Sequence, residues 1–478
     1  MRLPETAPTY TAARPAQASP PNGLPVGLFV VGGLVVPLLL AYALATGSEM
    51  KVTAVVFGIV ALGLVLARPF VGLLLFCVML YLRPEETFPA LQGTRLTLAI
   101  SVASAVGLAL QLALNRQGVV RTPLNVMIIG FGLALVASTA TLGNSSEAMI
   151  DAGRLVLLVI LILNLIRSPQ RYQALVSTVL VCTAYLSLYS LYLYLTGHGL
   201  QHGDIQRAEA TGIFGDPNDL ACSIVPGLGL CLPRLMTAKG KARIFYGVVA
   251  AIFVWAILTT NSRGGMLAMI AVIGGFSLMF MRNKPLALAI AVTVGFVFMV
   301  LGPSRMTTFD STEASANMRF WYWSFGVELL FQHPVFGAGY GQFLELNNGM
   351  LAHNSFVQCF AELGLVGYFC WIGCLYYGFR KRQQEESGLA LTPDYQRDLL
   401  GARVALMGFL VAGYFVTRTY VPTLYLFVSL PVAAQVAVTF GNPVAKAKAA
   451  GWGADWFRIF GICVASILFI KIFAEQLR

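Results

Sequence analysis

The sequence predicts an all-α polytopic membrane protein with about 12–15 transmembrane helices and one large, partly helical loop. Of its 478 residues, 57% are hydrophobic and only 11% are charged, whereas soluble domains carry about 25% charged residues. The apolar residues also fall into runs of about twenty, which is the length that crosses a bilayer as an α-helix. Short alternating segments that would indicate a membrane β-barrel do not occur.

The chain begins with a tail, residues 1–22, that is rich in Pro and Ala and contains no apolar run. Such a composition is typical of disorder. The candidate spanning segments follow in this order: about 24–46, 51–67, 70–82, 95–114, 123–142, 148–166, 172–196, 217–236, 244–260, 264–281, 285–301, 362–379, 399–417, 420–440 and 456–475. The third is short enough to be broken or re-entrant, and the last is amphipathic enough to lie on the interface instead.

The polar loop 302–361 is the only long interruption between apolar segments, and it suggests how the chain is organised. We divide the chain into the tail 1–22, N-terminal transmembrane helices 23–200, a core 201–385 that includes the loop, and C-terminal transmembrane helices with a tail at 386–478. We expect the loop to carry the chemistry and the helices to hold it at a membrane face.

The placement of Lys and Arg predicts the orientation of the helices. Basic residues collect in every second loop, and loops of this kind stay in the cytoplasm. They are Arg116, Arg121, Arg167, Arg171, Arg234, Lys239, Lys241, Arg243, Arg282, Lys284, Arg380, Lys381, Arg382, Lys446 and Lys448. The N-terminus is then cytoplasmic, and the loops 197–216 and 302–361 lie outside the cytoplasm. Because orientation explains the placement of the charges behind the net charge of +11, we predict no binding of nucleic acid.

The sequence gives no support for metal or nucleotide chemistry. The eight cysteines lie in or beside apolar segments, with neither the spacing of a metal site nor that of a disulfide framework. The chain also lacks the His-Glu-x-x-His motif, a phosphate-binding P-loop, the Gly-x-Ser-x-Gly motif and an Asp-x-Asp motif. We therefore expect no metal and no cofactor.

Three arginines on the outer side depart from the positive-inside pattern: Arg207, Arg263 and Arg319. A guanidinium binds two phosphate oxygens at once, so arginines that converge at a membrane surface would bind a pyrophosphate. Each also has a plainer interpretation. Arg207 would be a loop charge, Arg263 a helix-capping residue before packing glycines, and Arg319 a side chain that reaches the interface from an amphipathic helix.

Two more arginines, Arg154 and Arg418, lie toward the outer side. An arginine at this depth is costly unless it is paired or functional. Asp151 lies three residues before Arg154 and is a candidate ion-pair partner. Arg418 is placed to anchor its helix at the interface. Both alternatives stay open beside a role in binding phosphate.

The segment Gly-Asp-Pro-Asn-Asp at 215–219 has the pattern of a helix start. Proline suits the first helical turn, and Asp and Asn are capping residues. Capping alone would explain the segment. The functional alternative is that Asp216, Asn218 or Asp219 contacts sugar hydroxyls or orients an arginine.

His353 is the candidate for proton transfer. It precedes Asn354 and Ser355, which predict a helix start, so the histidine would stand at the base of a helix on the outer face. Histidine is the side chain best suited to take a proton near neutral pH. Glu362 would lie on the opposite side of that helix and is expected to be structural. The alternative for His353 is an ordinary polar contact.

These stretches together resemble the O-antigen ligase and O-antigen polymerase superfamily of bacterial envelope proteins. The resemblance rests on NSRGG (261–265), HPVFGAGYGQF (333–343) and AHNSFVQCFAELGLVGY (352–368), supported by MRFWYW (318–323) and GIFGDPNDLA (212–221). GIFGDPNDLA is of the kind common in exopolysaccharide and O-glycosylation ligase relatives. The resemblance covers residues 200–380 well, while the N-terminal helices match only in kind.

The resemblance implies a metal-independent, inverting glycosyl transfer outside the cytoplasmic membrane, with the protein in the bacterial inner membrane and its loop in the periplasm. The donor would be a glycan on undecaprenyl pyrophosphate. The acceptor would be a lipid A-core sugar, another lipid-linked glycan or a protein, and other polysaccharide assembly proteins would be partners. Carried over by motif, His353 would be the catalytic residue. Arg263 and Arg319, with Arg207 behind them, would bind the donor pyrophosphate.

Other functions remain open from the sequence. A polysaccharide polymerase would use the same donor as a ligase. A lipid-linked glycan transporter would place ionisable residues near the middle of its helices, whereas here they collect at the helix ends. A third possibility is a structural partner of an envelope assembly complex, in which the loop only binds.

Overall fold

The computed structural model describes residues 49–88, 91–140, 145–202, 205–301, 314–380, 392–440 and 452–476. The predicted tail 1–22, the first predicted span 24–46 and residues 302–313 of the polar loop lie outside the described residues. The chain divides into two compact units, Met1–Ala67 and Arg68–Arg478. The described part of the first unit is the helix α1 (Glu49–Ala67).

The second unit is built almost entirely of helices. They are α2 (Pro69–Leu82), α3 (Pro84–Thr87), α4 (Leu96–Leu114), α5 (Pro123–Ser138), α6 (Ser145–Leu165), α7 (Pro169–Leu195), α8 (Pro217–Thr237), α9 (Gly240–Thr259), α10 (Arg263–Phe280), α11 (Lys284–Leu301), α12 (Ala314–Gln332), α13 (Gln342–Leu346), α14 (Ser355–Phe379), α15 (Pro393–Gly413), α16 (Pro422–Thr439) and α17 (Trp452–Gln476). Several begin with proline at the first position, where its missing N–H costs nothing.

Between α7 and α8 the chain forms a small hairpin that the sequence did not predict. Strands β1 (Leu200–His202) and β2 (Ile205–Arg207) pair antiparallel, with Leu200 opposite Arg207. A short 3₁₀ turn (Gly212–Gly215) then leads into α8.

Among the described residues, nine helices are long and apolar enough to cross a membrane. This confirms the predicted all-α polytopic membrane protein. The third predicted segment, 70–82, is one continuous helix of 14 residues, so the alternative that it is broken is wrong.

Hydrogen bonds and an ion pair join helix ends of the second unit in two separate groups. At the end that carries the hairpin, Thr87 bonds Thr211 (3.3 Å), and the N–H of Tyr340 donates to Ser138 Oγ (3.1 Å). At the opposite end, the buried pair Arg234 and Asp398 joins α8 to α15 (3.1 Å). We call these the hairpin end and the opposite end.

Helix α14 is kinked, and the glycine-rich segment after α12 docks onto the kink. Gly364 has a φ of 62° and a ψ of −165° inside the helix, a region that only glycine occupies readily. A Cβ on Gly337 would lie 2.2 Å from the carbonyl carbon of Glu362, and one on Gly364 would lie 2.4 Å from the carbonyl oxygen of Val335. The two backbones therefore touch, and both positions require glycine.

Glu362 fixes the same junction from inside. It is buried, and its carboxylate accepts hydrogen bonds from the N–H of Phe343 (3.2 Å) and the hydroxyl of Tyr420 (2.7 Å). These contacts join α14 to α13 and to the segment before α16. They agree with the expectation that Glu362 is structural.

The last helix, α17, follows α14 along its length. Asp455 is fully buried near the opposite end, where it pairs with Arg380 (2.5 Å) and accepts a hydrogen bond from Tyr376 (2.9 Å). Further along, Ser466 bonds Tyr368 (2.8 Å). This path agrees with the presence of α17 among the candidate spans.

Candidate active site

Asn218 connects three parts of the chain at the hairpin end. Its side-chain oxygen accepts hydrogen bonds from Arg207 Nη2 (3.2 Å) and Ser262 Oγ (2.8 Å). Its side-chain nitrogen donates to Asp216 Oδ1 at 2.9 Å, and its backbone N–H donates to the same oxygen at 2.7 Å. The amide therefore has one orientation, and it joins the hairpin to the starts of α8 and α10.

Local sequence explains why these residues stand at helix starts. Asp216 is the N-cap of α8, with Pro217 at the first helical position. Ser262 is the N-cap of α10, where its hydroxyl accepts a hydrogen bond from the N–H of Gly265 (3.2 Å). Each cap satisfies a backbone N–H that has no partner within its helix. Arg263 directly follows Ser262, so its backbone lies at the same helix start.

Arg207 is a buried side chain at the end of β2. Only 7% of it is exposed, and its Nε donates to the carbonyl oxygen of Thr260 at 2.8 Å. The next residue, Ala208, donates its N–H to the carbonyl of Thr259 at 2.8 Å. The hairpin is thereby attached to the turn between α9 and α10. The interpretation of Arg207 as an ordinary loop charge is wrong, because an ordinary loop charge would be solvated.

His353 is held on both sides by neighbouring residues. The carbonyl of Ala352 accepts a hydrogen bond from Trp323 Nε1 at 3.1 Å. Asn354 caps α14, and its side-chain oxygen accepts from the N–H groups of Phe356 (2.9 Å) and Val357 (3.2 Å). These contacts fix the backbone around the histidine, as the sequence predicted for a residue at a helix start.

The backbone of His353 itself lies in the left-handed region, with a φ of 47°. Residues other than glycine occupy that region rarely, although histidine does so more often than most. Such a conformation persists only where surrounding contacts enforce it, and it is concentrated at functional sites. The geometry therefore singles out His353 among the histidines of the described residues.

Arg319 and Asp216 set the charge environment of His353. Burial lowers the pKa of His353 from its ordinary value of 6.5, Arg319 lowers it further, and Asp216 opposes the shift. Arg319 lies one turn before Trp323 on α12, so the two share a helix face. The same face therefore carries the tryptophan that bonds Ala352 and the arginine that acts on His353.

Asp219 forms an ion pair with Arg418, a partner that the sequence alone could not identify. Its buried carboxylate accepts two hydrogen bonds from Arg418, one from Nε at 2.5 Å and one from Nη2. Arg418 comes from the segment between α15 and α16, and its backbone N–H donates to Ser355 Oγ at 2.9 Å. Asp219 thus orients an arginine, one of the two functional alternatives expected for it.

The structure brings most of the predicted site residues to one end of the second unit. Asp216, Asn218, Arg207 and the start of α10 with Arg263 are joined by hydrogen bonds. The charges of Asp216 and of Arg319 both act on the pKa of His353. Among the described residues, no group of three or more His, Cys, Asp or Glu side chains is placed to hold a metal ion.

Two contributors were missed by the sequence reasoning. Ser262 was seen only as part of a motif, although a serine before a helix is a capping signal. Trp323 was treated as an interfacial aromatic, and its bond to Ala352 depends on a contact between α12 and the loop before α14. No local pattern could have identified that contact.

Comparison with known families links part of the chain to one of them. Residues 248–372 match the family model described as O-Antigen ligase. This match supports the resemblance to the O-antigen ligase and polymerase superfamily. No curated protein matches the chain. The matched segment supports a glycosyltransferase of the ligase or polymerase type. The apolar helices support a multi-pass membrane protein.

The O-antigen ligase segment contains part of the site described above. Arg263, Arg319 and His353 lie inside the matched residues, whereas Arg207 and Asn218 precede them. The hydrogen bonds of Asn218 therefore attach residues from outside the matched segment to residues within it.

Proposed function

We propose that the protein transfers a glycan from undecaprenyl pyrophosphate to an acceptor hydroxyl at the periplasmic face of the bacterial inner membrane, as an O-antigen ligase does. The observation that carries this proposal is the placement of His353. A half-buried histidine in a strained, fixed backbone lies at the same end as three arginines, inside the segment that matches the O-antigen ligase family model.

In this reaction, His353 acts as the general base. Because its pKa is lowered, the imidazole is neutral near pH 7 and can accept a proton. The acceptor oxygen attacks the anomeric carbon and gives its proton to His353, which later releases it to solvent. Attack from the face opposite the leaving group inverts the anomeric configuration.

The arginines stabilise the leaving group. When the bond between the anomeric carbon and the phosphate oxygen breaks, the pyrophosphate gains negative charge, which needs positive charge rather than a proton. Arg263, Arg319 and Arg207 are assigned this role. Arg207 fits it well, because its guanidinium is held by the neutral oxygens of Thr260 and Asn218 and is therefore oriented in advance.

Asp216 and Asn218 are assigned to orientation. Asn218 holds Arg207 through its side-chain oxygen, and Asp216 holds Asn218. Asp216 is exposed, so it also reaches sugar hydroxyls. A polymerase would use the same site and donor with a lipid-linked glycan as acceptor, and the test below distinguishes the two activities.

The central test is the substitution His353→Ala in a deletion strain complemented with the gene. We expect transfer to fall by about 10²–10⁴-fold, which is the usual contribution of a general base. The readout is mature glycan on electrophoresis, at equal protein level in the membrane. If the inactive strain accumulates long glycan that is not attached to an acceptor, the protein is a ligase. If it attaches only a single repeat unit, the protein is a polymerase.

His198→Ala is the matched control. His198 also lies at the hairpin end, but its imidazole is exposed and hydrogen-bonds its neighbour Thr196 (3.0 Å). Normal glycan is expected in that variant. Full activity in the His353→Ala variant would reject the proposed mechanism.

A further inference from the structure

A small cavity at the opposite end lies among α5, α14 and α16. Its volume is about 20 Å³, which is room for one group the size of a water molecule. The residues that line it are Pro123, Leu124, Tyr377, Arg380, Val432 and Gln435. These residues are separate from the candidate active site, which lies at the hairpin end.

The contacts of Arg380 place the cavity at the opposite end. Its carbonyl oxygen accepts a hydrogen bond from Arg403 Nη2 at 3.1 Å, and Arg403 lies on α15, the helix that carries Asp398. Arg380 also belongs to the basic residues that the charge pattern assigns to the cytoplasm. The cavity is therefore on the predicted cytoplasmic side.

Gln435 supplies a hydrogen-bond donor to this cavity. Its side chain is only 2% exposed, and its Nε2 has no hydrogen-bond partner among the described residues. Because Gln435 lines the cavity, a ligand in the cavity can reach this nitrogen. A buried donor without an acceptor is costly, and a ligand oxygen would remove that cost.

Arg380 brings positive charge to the same cavity. It is half-buried, and its Nη1 pairs with Asp455 Oδ2 at 2.5 Å, so that pair does not use its other guanidinium nitrogens. Arg458 Nη1 lies 3.8 Å from the other oxygen of the same carboxylate. Two arginines thus share one carboxylate, which leaves net positive charge beside the cavity. A guanidinium and an amide N–H together fit an anionic oxygen.

A second unsatisfied donor lies at the end of α16. The guanidinium carbon of Arg167 lies 4.6 Å from the ring centroid of Phe440, the residue that follows α16. Nη2 of Arg167 is buried and has no hydrogen-bond partner within the described part of the chain. Burial lowers the pKa of Arg167, and the charge of Arg171 lowers it further. Negative charge bound at this helix end would stabilise the Arg167 cation.

The apolar surroundings of the cavity favour a lipid over a free anion. Leu124, Val432 and Tyr377 are buried and form most of its inner wall. Beside the cavity, Val126 on α5 and Val438 on α16 are each 44% exposed. Since α16 is among the candidate spans, these exposed side chains are placed to meet acyl chains.

We infer that this cavity binds an anionic phospholipid of the adjoining membrane leaflet. One phosphate oxygen enters the cavity and accepts hydrogen bonds from Gln435 Nε2 and Arg380, and the acyl chains follow the exposed faces of α5 and α16. The lipid thereby connects α5, α14 and α16. The inference is independent of the proposed glycosyl transfer, because it uses none of the residues assigned to that reaction.

The test is thermal unfolding of the full-length protein in detergent, measured by size-exclusion chromatography at increasing concentrations of phosphatidylglycerol. The midpoint should rise, because a ligand that binds only the folded state stabilises it. Inorganic phosphate at the same concentrations should leave the midpoint unchanged. An equal rise with inorganic phosphate would overturn the assignment to a lipid, and an unchanged midpoint with phosphatidylglycerol would overturn the whole inference.

Gln435→Leu is the deciding variant. It removes the unsatisfied amide at nearly the same size, so the midpoint without lipid should stay level or rise. The phosphatidylglycerol concentration for half of the effect should increase at least about tenfold, which corresponds to about 1.4 kcal/mol, because a hydrogen bond to a charged group is lost. A lower midpoint without lipid, together with an unchanged response to lipid, would show a merely structural role and overturn the inference.

Lys241→Gln is the matched control for charge at this end. Lys241 is an exposed basic residue at the start of α9 and does not line the cavity. Its response to phosphatidylglycerol should equal that of the wild type. A loss as large as that of Gln435→Leu would show that lipid binds to the basic loops in general, and would overturn the assignment to the cavity.

A photoactivatable phosphatidylglycerol locates the site directly. With a diazirine in its acyl chain, it should label peptides that contain Val126 or Val438 in the wild type. Labelling of these peptides should fall in Gln435→Leu. Equal labelling in both proteins would overturn the assignment to this cavity.

Discussion

At the residue scale, the charges around His353 predict in which direction the pH dependence of activity shifts. A general base must be neutral to accept a proton, so activity falls as the pH drops through its pKa. Burial and Arg319 lower that pKa from 6.5, and Asp216 raises it. The acid limb of the kcat/KM profile should therefore lie below pH 6.5. Arg319→Gln should move the limb to higher pH, and Asp216→Asn should move it to lower pH.

The measurement is kcat/KM against pH for purified wild type and both variants. Arg319→Lys is the control, because it keeps the positive charge and should leave the limb near its wild-type position. A common acid limb in all four proteins would mean that another group titrates, and His353 would lose its assignment as the base.

Also at this scale, one residue can be structural and functional at once. Asp216 caps α8, holds the amide of Asn218 and acts on His353. The capping interpretation and the site interpretation of this segment are therefore compatible.

At the scale of elements, the kink of α14 and the glycine-rich segment are one unit. The N–H of Ala338 donates to the carbonyl of Ala361 (2.9 Å), and the N–H of Leu365 donates to the carbonyl of Pro334 (2.9 Å). The kink exposes backbone groups of α14 that these bonds then satisfy. These bonds thereby fix the first turns of α14, which begin just after His353, at the kink.

Gly364→Ala should destabilise this unit. The backbone region of Gly364 costs other residues about 1–3 kcal/mol, and the added Cβ would lie 2.4 Å from the carbonyl oxygen of Val335. We expect a lower thermal unfolding midpoint and reduced transfer. The measurement is a thermal melt of detergent-purified protein by size-exclusion chromatography.

Gly461→Ala is the control for that melt. Gly461 lies on an exposed part of α17, and a Cβ there would meet nothing within 4 Å. Its midpoint should stay level or rise, because alanine favours a helix. Equal midpoints for Gly364→Ala and the wild type would show that the kink tolerates a side chain.

At the scale of the whole molecule, the proposed function requires the hairpin end to face the periplasm. The basic loops predicted to be cytoplasmic include the connections between α8 and α9 and between α10 and α11. Both lie at the end opposite the hairpin. The charge pattern and the position of the site therefore make the same prediction about orientation.

Labelling with a membrane-impermeant maleimide checks this orientation. Glu345→Cys places an exposed thiol on α13 near the site, and Lys241→Cys places one at the opposite end. Glu345→Cys should label in intact spheroplasts, and Lys241→Cys only after permeabilisation. Native background should be low, because seven of the eight free cysteines are buried and Cys370 is half-buried. The reverse pattern would place the site in the cytoplasm and contradict the proposed function.

Much of the helix framework could be predicted from sequence. The predicted segment 217–236 corresponds to the helix Pro217–Thr237, and the predicted segment 264–281 corresponds to the helix Arg263–Phe280. Apolar run length, proline at helix starts and capping residues are local signals, so they can be identified without the fold. The hairpin at 200–207 was missed, because three-residue strands carry too little pattern to stand out from a polar loop.

The sequence by itself determined the class of protein, the alternation of its charged loops, the family resemblance, and the candidate status of His353 and the outer arginines. Only the tertiary structure decided which of these side chains meet. Asp219 and Arg418 are 199 positions apart in sequence, and Arg207 and Thr260 are 53 apart. Hydropathy and capping act between near neighbours in the chain, whereas an active site depends on how separate helices pack, and packing brings distant residues together.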